Sequence, residues 1–348
     1  MNIANNKVQM LHDLLKKEIE SGTYKQGEKL PSVRDMAVSY NLNKSTAVAA
    51  LATLANEGLV RTEAGRGAFV LGKREPKQIA MLYYVDAAPF RVETELLRHL
   101  HKSMGEDYFL SLHDTTQNYP IFRDNIISLV RSGVKGIIAI PPKNYMPTRE
   151  DVDVLNDIIS DRVPLIFVIR NIEGVNADYY SMNLNAGIQK AVAHLAASGK
   201  RRIALIEHDS RKFIEEELAG MKAACGNLGI PMDPRHILQY DYNDLEVLRQ
   251  KLQQILDEID AIIAPDNLLC SLQELLRNGG KEIPEELSVV GINDVVSPFF
   301  YPPLTSIHFP VEAIGFSAMN TMMMRIEKSM PPEKICRNFV PELIIRET

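Results

Sequence analysis

The chain has 348 residues, 45% of them hydrophobic and 24% charged, with a formal net charge of −6. That length predicts two or three domains of an ordinary soluble globular protein, each able to bury its own core. No run of eighteen apolar residues occurs and the start, MNIANNKVQM, has no apolar segment, which excludes a spanning helix and a signal peptide and predicts a cytoplasmic location.

The charge is unevenly spread. Residues 1–75 hold eleven Lys and Arg against eight Asp and Glu, or +3, which leaves −9 for the remainder. A mildly basic head can still bind a duplex, because counterion release is local to the contacting face. Three widely spaced cysteines, Cys225, Cys270 and Cys336, are expected to be buried free thiols rather than a disulfide framework or a zinc site.

In chain order, Val8, Leu11, Leu15 and Ile19 form one stripe of a helix from about Lys7 to Ser21, stopped by Gly22. A second helix opens at Pro31-Ser32-Val33-Arg34-Asp35, where Ser32 caps and Asp35 returns a carboxylate to the cap. Asn41-Leu42-Asn43 makes a turn, and Asn43 is the expected cap of a third helix over 44–57. Ala47, Leu51 and Leu54 face inward there, leaving Lys44, Ser45, Thr46 and Val48 outward. Two wing strands, 59–61 and 68–71, flank Gly65-Arg66-Gly67, with Arg66 expected to project. This order is that of a winged helix-turn-helix, which makes double-stranded DNA the expected partner.

These residues resemble the GntR family of bacterial transcription regulators. The resemblance rests on Leu30-Pro31-Ser32-Val33-Arg34, Lys44-Ser45-Thr46, Leu54-Ala55-Asn56-Glu57-Gly58-Leu59 and Gly65-Arg66-Gly67. It implies DNA contacts from Ser32, Arg34, Lys44, Ser45, Thr46, Arg66 and Gly67. Two departures are Val33 for a Glu and Val48 for an Arg; the lost cation at 48 predicts weaker phosphate contact and altered operator recognition.

A charged segment with a proline, 73–78, predicts the domain boundary. Beyond it, short apolar strands (IAMLYYV, YFLSL, GIIAIP, LIFVIR, RRIALIE, AIIAP, LSVVGI) alternate with amphipathic helices over 79–348. That alternation predicts an α/β body of two doubly wound parallel sheets with a ligand cleft at the strand ends. No G-x-G-x-x-G, Walker A or G-x-S-x-G motif is present, no lysine sits in a Schiff-base setting, and the eight histidines are scattered, expected at the surface or at caps. No enzyme activity, cofactor or metal is expected.

The body resembles the effector-binding domain of the LacI family, which is similar to periplasmic sugar-binding proteins. Ser288-Val289-Val290-Gly291-Ile292-Asn293-Asp294, Pro303-Leu304-Thr305-Ser306-Ile307, Leu343-Ile344-Ile345-Arg346-Glu347, Gly199-Lys200-Arg201-Arg202-Ile203-Ala204 and Leu218-Ala219-Gly220 carry it. A GntR head on a LacI-like body is the arrangement of the arabinose-repressor subgroup. The resemblance implies effector contacts from Arg211, Phe213, Glu217, Tyr242, Asp266 and Asn293. Residues 86–90, including Phe90, would form the opposite wall, and Arg170 is a further cation beside the cleft.

Tyr242 would stack on a sugar ring and Asp266 would accept paired hydroxyls. Glu217 stands where the family has an Arg and Asn293 where it has an Asp. The reversed charge at 217 points to a neutral monosaccharide, although Arg170 and Arg211 leave an anionic effector open. The expected function is a dimeric repressor whose operator affinity follows that effector. The alternatives are a constitutive regulator with a vestigial cleft, or a sensor of a non-sugar metabolite.

Overall fold

A computed structural model describes residues 3–71, 76–84, 92–142, 145–159, 163–208, 211–240 and 244–348, with the backbone alone at 3–6, 208 and 211–214. The chain divides into two compact units, Met1–Pro76 and Lys77–Thr348.

In the first unit, α1 (Ile3–Glu20), α2 (Val33–Ser39) and α3 (Lys44–Asn56) precede β1 (Val60–Glu63) and β2 (Gly67–Val70). The strands pair antiparallel from Val60↔Val70 to Glu63↔Gly67. Leu11 and Leu15 of α1, Met36 of α2 and Leu54 of α3 are fully buried together. Each such side chain stabilises the module by about 1.5–3 kcal/mol through lost water contact. Helix α1 starts four residues before the expected Lys7, and Gly22 supplies the left-handed stop at φ +79°. Glu57 ties α1 to the end of α3, accepting from Lys16 Nζ at 2.9 Å and lying 2.8 Å from His12 Nε2. His12 is thus buried in a helix–helix contact, against the expectation of surface or capping histidines.

The second unit has two lobes. In the first, β3 (Lys77–Tyr83), β4 (Tyr108–Asp114), β5 (Gly136–Ala139), β6 (Leu165–Val168), β7 (Asp178–Met182) and β13 (Cys336–Phe339) form one parallel sheet, ordered β13-β7-β6-β5-β3-β4. Strand β3 takes up the last two residues of the expected linker. Helices α4 (Val92–Ser103) and α11 (Val311–Ile326) cover one face, with α5 (Tyr119–Ser132) and α6 (Arg149–Ile159) on the other.

The second sheet is ordered β14-β12-β11-β10-β8-β9. Its strands are β8 (Ile203–His208), β9 (Ile237–Tyr240), β10 (Ala261–Pro265), β11 (Ser288–Asn293), β12 (Thr305–His308) and an antiparallel β14 (Glu342–Ile344). Helices α7 (Leu184–Ala197) and α8 (Arg211–Leu228) lie on one face, α9 (Leu245–Ile255) and α10 (Asp266–Asn278) on the other.

The chain passes between the lobes three times, from β7 to α7, β12 to α11 and β13 to β14. Two passages are tied where Asn183 N donates to Phe339 O at 2.7 Å. Both sheets reverse strand order beside β3 and β8, and ligands of such sheets bind beyond the carboxyl ends at that reversal. Met319 and Met322 are core, whereas Met324 is exposed. Of the three thiols only Cys225 is buried. Cys336 is exposed because β13 is a sheet edge, which corrects the expectation of three buried thiols.

Candidate DNA interface and effector cleft

At α2 the capping box forms as the spacing requires. Asp35 N donates to Ser32 Oγ at 3.2 Å, and Ser32 N donates to Asp35 Oδ2 at 3.3 Å. The Ser32 hydroxyl also donates to Asp35 Oδ2 at 2.6 Å, so its proton is committed within the head. Asn43 holds the N-cap backbone geometry of α3 (φ −76°, ψ 150°) but makes no side-chain cap bond, contrary to expectation. Its amide is exposed beside the exposed Lys44 and Ser45 at the α3 start, while half-buried Thr46 already donates its N–H to Asn43 O at 3.0 Å. Unpaired N–H groups at a helix start suit a phosphate. Arg34 is exposed on α2, and Val48 is exposed on the outer face of α3.

Arg66 stands at the wing tip between Gly65 (φ +74°) and Gly67 (φ +108°). It projects, yet it is tethered. Its Nη1 lies 2.7 Å from Glu63 Oε2 and its guanidinium 5.7 Å from the centre of the Phe69 ring. Arg61 pairs with the same Glu63 at 2.7 Å. Exposed pairs of this kind are worth about 0–1 kcal/mol, so a phosphate can compete for either arginine. Arg61 and Lys29, whose stem packs under Gly67, are basic groups of this face that the motif reading did not name.

In the body, Phe90 and Tyr242 lie outside the described residues, as do the side chains of Arg211 and Phe213. Arg170 follows β6, buried, with Nε donating to Pro141 O at 2.9 Å and its guanidinium 6.0 Å from the Tyr84 ring centre. It gathers the carboxyl ends of β3, β5 and β6 at the strand-order reversal.

Glu217 on α8 is 2% exposed. Burial first, then the neighbouring Glu207, raises its pKa well above the usual carboxylate value. It keeps its proton, so the anion-repelling charge expected at 217 is largely absent. Asp266 is 1% exposed and accepts from Ser297 Oγ at 2.6 Å, Ser306 Oγ at 2.8 Å and Val295 N at 3.0 Å. Burial raises its pKa to about 6 against those donors. Its oxygens hold the 293–297 loop, where the sequence reading expected sugar hydroxyls. Gly291 is required beside it, because a Cβ there would strike both the Asp266 carboxyl and Ser306 Oγ.

Asn293 remains at the surface of that loop. With Asp294 it forms a consecutive left-handed pair, φ +103° and +57°, a backbone cost of about 1–3 kcal/mol at each residue. Asn293, Asp294, Val295 and Phe299 face Glu95 and Arg98 of α4 across a cavity of about 800 Å³ that both lobes line. The structure thus joins Asn293 and Asp266 through one loop, places Arg170 on the other lobe, and buries Glu217 with Glu207 between α8 and β8. Asp294, His308 and Arg346 belong to this loop's surroundings but were not singled out. Asp294 and Arg346 carried only the signal of belonging to matched segments, and His308 was read as one of the scattered histidines.

Among the described residues, Asp233, His236 and Glu258 have ligand atoms close enough to hold a metal. Arg235 already bridges the two carboxylates, at 2.6 and 2.8 Å, so half of the cluster's negative charge is offset from within. His236 is buried there, a second departure from the surface expectation.

A winged helix-turn-helix with a basic outer face, joined to a two-lobed α/β body with a cavity between its lobes, defines a ligand-responsive DNA-binding regulator. Residues 7–70 match the model of bacterial regulatory proteins of the gntR family, and 192–348 match the periplasmic binding protein-like domain. The chain is a transcription regulator with a head of the GntR type and a periplasmic-binding-protein-like effector body.

The arabinose metabolism transcriptional repressor of Geobacillus stearothermophilus is 25% identical over 346 residues, 95% of this chain and 94% of that protein. The PurR repressor of Vibrio parahaemolyticus is 27% identical over 248 residues, 70% and 72% of the respective chains. Among solved structures, the CelR–cellobiose complex superposes with a TM-score of 0.66 at 19% identity, covering 91% of this chain and 99% of that one. A LacI-family regulator from Enterococcus faecium with bound ribose superposes at 0.61 and 21% identity, covering 78% and 98%. At those identities the superpositions establish the fold. Among the described residues, no helix is long and apolar enough to cross a membrane.

Proposed function

We propose that this chain is a sugar-responsive transcriptional repressor, acting as a homodimer on a near-palindromic operator and catalysing no reaction. The observation that carries the reading is the module order, with a GntR head followed by a LacI-type body. The Geobacillus arabinose repressor aligns with it along both. Lys44, Ser45, Thr46 and the α3 N-terminus read the major groove, with Arg34, Arg66 and the Gly67 backbone on phosphates or the wing-side groove, while Ser32 holds α2 in place through Asp35. Dimeric heads place two recognition helices about 34 Å apart. Exposed Tyr301 and Phe316 on the body support the dimer.

A neutral monosaccharide is the effector, with Asn293 offering both donor and acceptor to its hydroxyls. Buried Arg170, at the carboxyl end of β6, offers a cation from the other lobe. Solved neighbours that carry cellobiose, ribose or xylulofuranose support a carbohydrate. Closure around it bends the three crossovers and changes the freedom of the heads. By linkage, operator then weakens sugar binding by the factor by which sugar weakens operator binding.

A thermal-shift screen of monosaccharides on the full chain tests the effector. A ligand at 100 times its Kd adds about 2.7 kcal/mol. A panel of sugars, sugar phosphates and nucleosides that leaves the melt unmoved removes the sensor role. The second reading is a non-sugar effector, favoured by the engagement of both Asp266 oxygens within the protein.

A further inference from the structure

We propose that Asp294 is a positioning residue of the effector site. Its carboxylate is clasped between Arg346 and His308, which holds Asn293 at the cavity wall and ties that wall to the β12–α11 crossover. The proposal rests on Asn293 being an effector contact.

The geometry is closed on both sides. Asp294 Oδ1 lies 2.7 Å from Arg346 Nη1, and Oδ2 lies 3.1 Å from His308 Nδ1, with the carboxylate almost fully buried. Asp294 N donates to Ser306 Oγ at 3.2 Å. Arg346 is itself fixed, with Nη1 donating to Leu304 O at 2.7 Å and its backbone N to Thr305 Oγ1 at 3.0 Å. The clasp therefore grips the second residue of a positive-φ pair, a conformation that Asn and Asp reach more readily than other side chains but still at a cost.

His308 is the register partner of Asn293 across β11 and β12, and it is the last residue of β12 before the chain crosses into α11. Any movement of that crossover pulls on Asp294 and so on its neighbour Asn293. Two cavities meet at this carboxylate. One is the interlobe space holding Asn293, and the other, of about 440 Å³, is lined by Val340, Glu342 and Arg346.

His308 also makes the clasp sensitive to protonation. Facing it are Asp294, Glu312 of α11 at 3.5 Å, Glu342 as its cross-strand partner on β14, and Arg346 behind Asp294. Across the interlobe cavity stand Glu95, Arg98 and His99 of α4. The carboxylates outnumber the cations nearest the ring, and the Asp294 hydrogen bond raises the His308 pKa most. The clasp is strongest with His308 charged and loosens as pH rises through that raised value.

Amide hydrogen exchange by mass spectrometry on the full chain tests this. In Asp294→Asn, peptides spanning 291–299 should exchange about tenfold faster, with those of β8 and the first lobe unchanged. Wild-type protection of 291–299 should fall with pH, and His308→Gln, which keeps a donor but cannot titrate, should retain protection while flattening that profile. Calorimetric titration with D-ribose, L-arabinose and cellobiose gives the second readout. Any of these sugars bound by the wild type should bind Asp294→Asn about tenfold more weakly.

Unchanged local exchange in Asp294→Asn overturns the clasp, and so does a pH profile that His308→Gln leaves intact. Faster exchange with unaltered sugar affinity overturns the positioning role. Silence of all three sugars on the wild type would count against the effector reading, while the exchange data would still decide the clasp. Arg346→Lys, which keeps the charge, supplies the same exchange readout if Asp294→Asn fails to fold.

Discussion

Glu217 and Glu207 share a carboxyl–carboxyl hydrogen bond between α8 and β8, with the Glu217 side chain shut away from water. Two adjacent carboxylates cannot both ionise cheaply, so one proton stays between them. The folded pKa of Glu217 is raised above its unfolded value. Below the unfolded value both states are protonated and the group is neutral to stability. As pH climbs past it, the unfolded chain sheds a proton that the folded chain retains, and stability falls. Glu217→Gln removes that loss. Melting curves should show the variant more stable than the parent at pH 8 and equal to it at pH 4. A parent that is equally stable at both, relative to the variant, would mean the pair is ionised.

Asp266 obeys the same sign, with a pKa moved from 3.8 to about 6. Between those values this group costs the fold up to about 3 kcal/mol as pH rises. Its donors nonetheless need it. Asp266→Ala leaves two hydroxyls and the Val295 N–H without their acceptor, a loss of about 2–4 kcal/mol in denaturant titration. A neutral outcome would mean that Asp266 does not hold the loop.

The two caps of the head should differ. Ser32→Ala breaks the capping box and should lower stability by about 1 kcal/mol. Asn43→Ala removes no cap bond and should change stability by only a few tenths of that. If its amide meets the duplex, the Asn43 change appears in DNA affinity. Equal stability losses for the two variants would contradict the capping geometry.

At the wing, Arg66→Ala should weaken binding on all duplexes alike and flatten the salt slope by about one unit. Glu63→Gln releases Arg66 and Arg61 together and should tighten binding while steepening the slope. Fluorescence anisotropy across a salt series reads both. An unchanged slope in Arg66→Ala would take the residue off the phosphate contacts.

Local patterns were readable where one element decided the outcome. The capping box at Ser32 and Asp35, the inward stripe of Ala47, Leu51 and Leu54, and the seven apolar strands follow from spacing alone. The site was less legible, because a side chain's role depends on neighbours far away in sequence. Asp266 reads as a sugar acceptor until Ser297 and Ser306, 31 and 40 residues on, arrive on its oxygens. Glu217 reads as a charged effector contact until burial beside Glu207 of β8 holds it protonated. Strands β7, β9, β12, β13 and β14 were missed as well. Strand β13 is a mostly exposed sheet edge, so it shows little apolar run.

The most direct measurement is operator affinity of the full chain, on a duplex selected from random sequence, across a titration of each sugar that shifts its melt. The account predicts that a bound sugar changes operator Kd by a factor that reappears, unchanged in size, when sugar affinity is measured with and without operator. Operator binding indifferent to saturating sugar would contradict it, since head and body would then bind their partners independently.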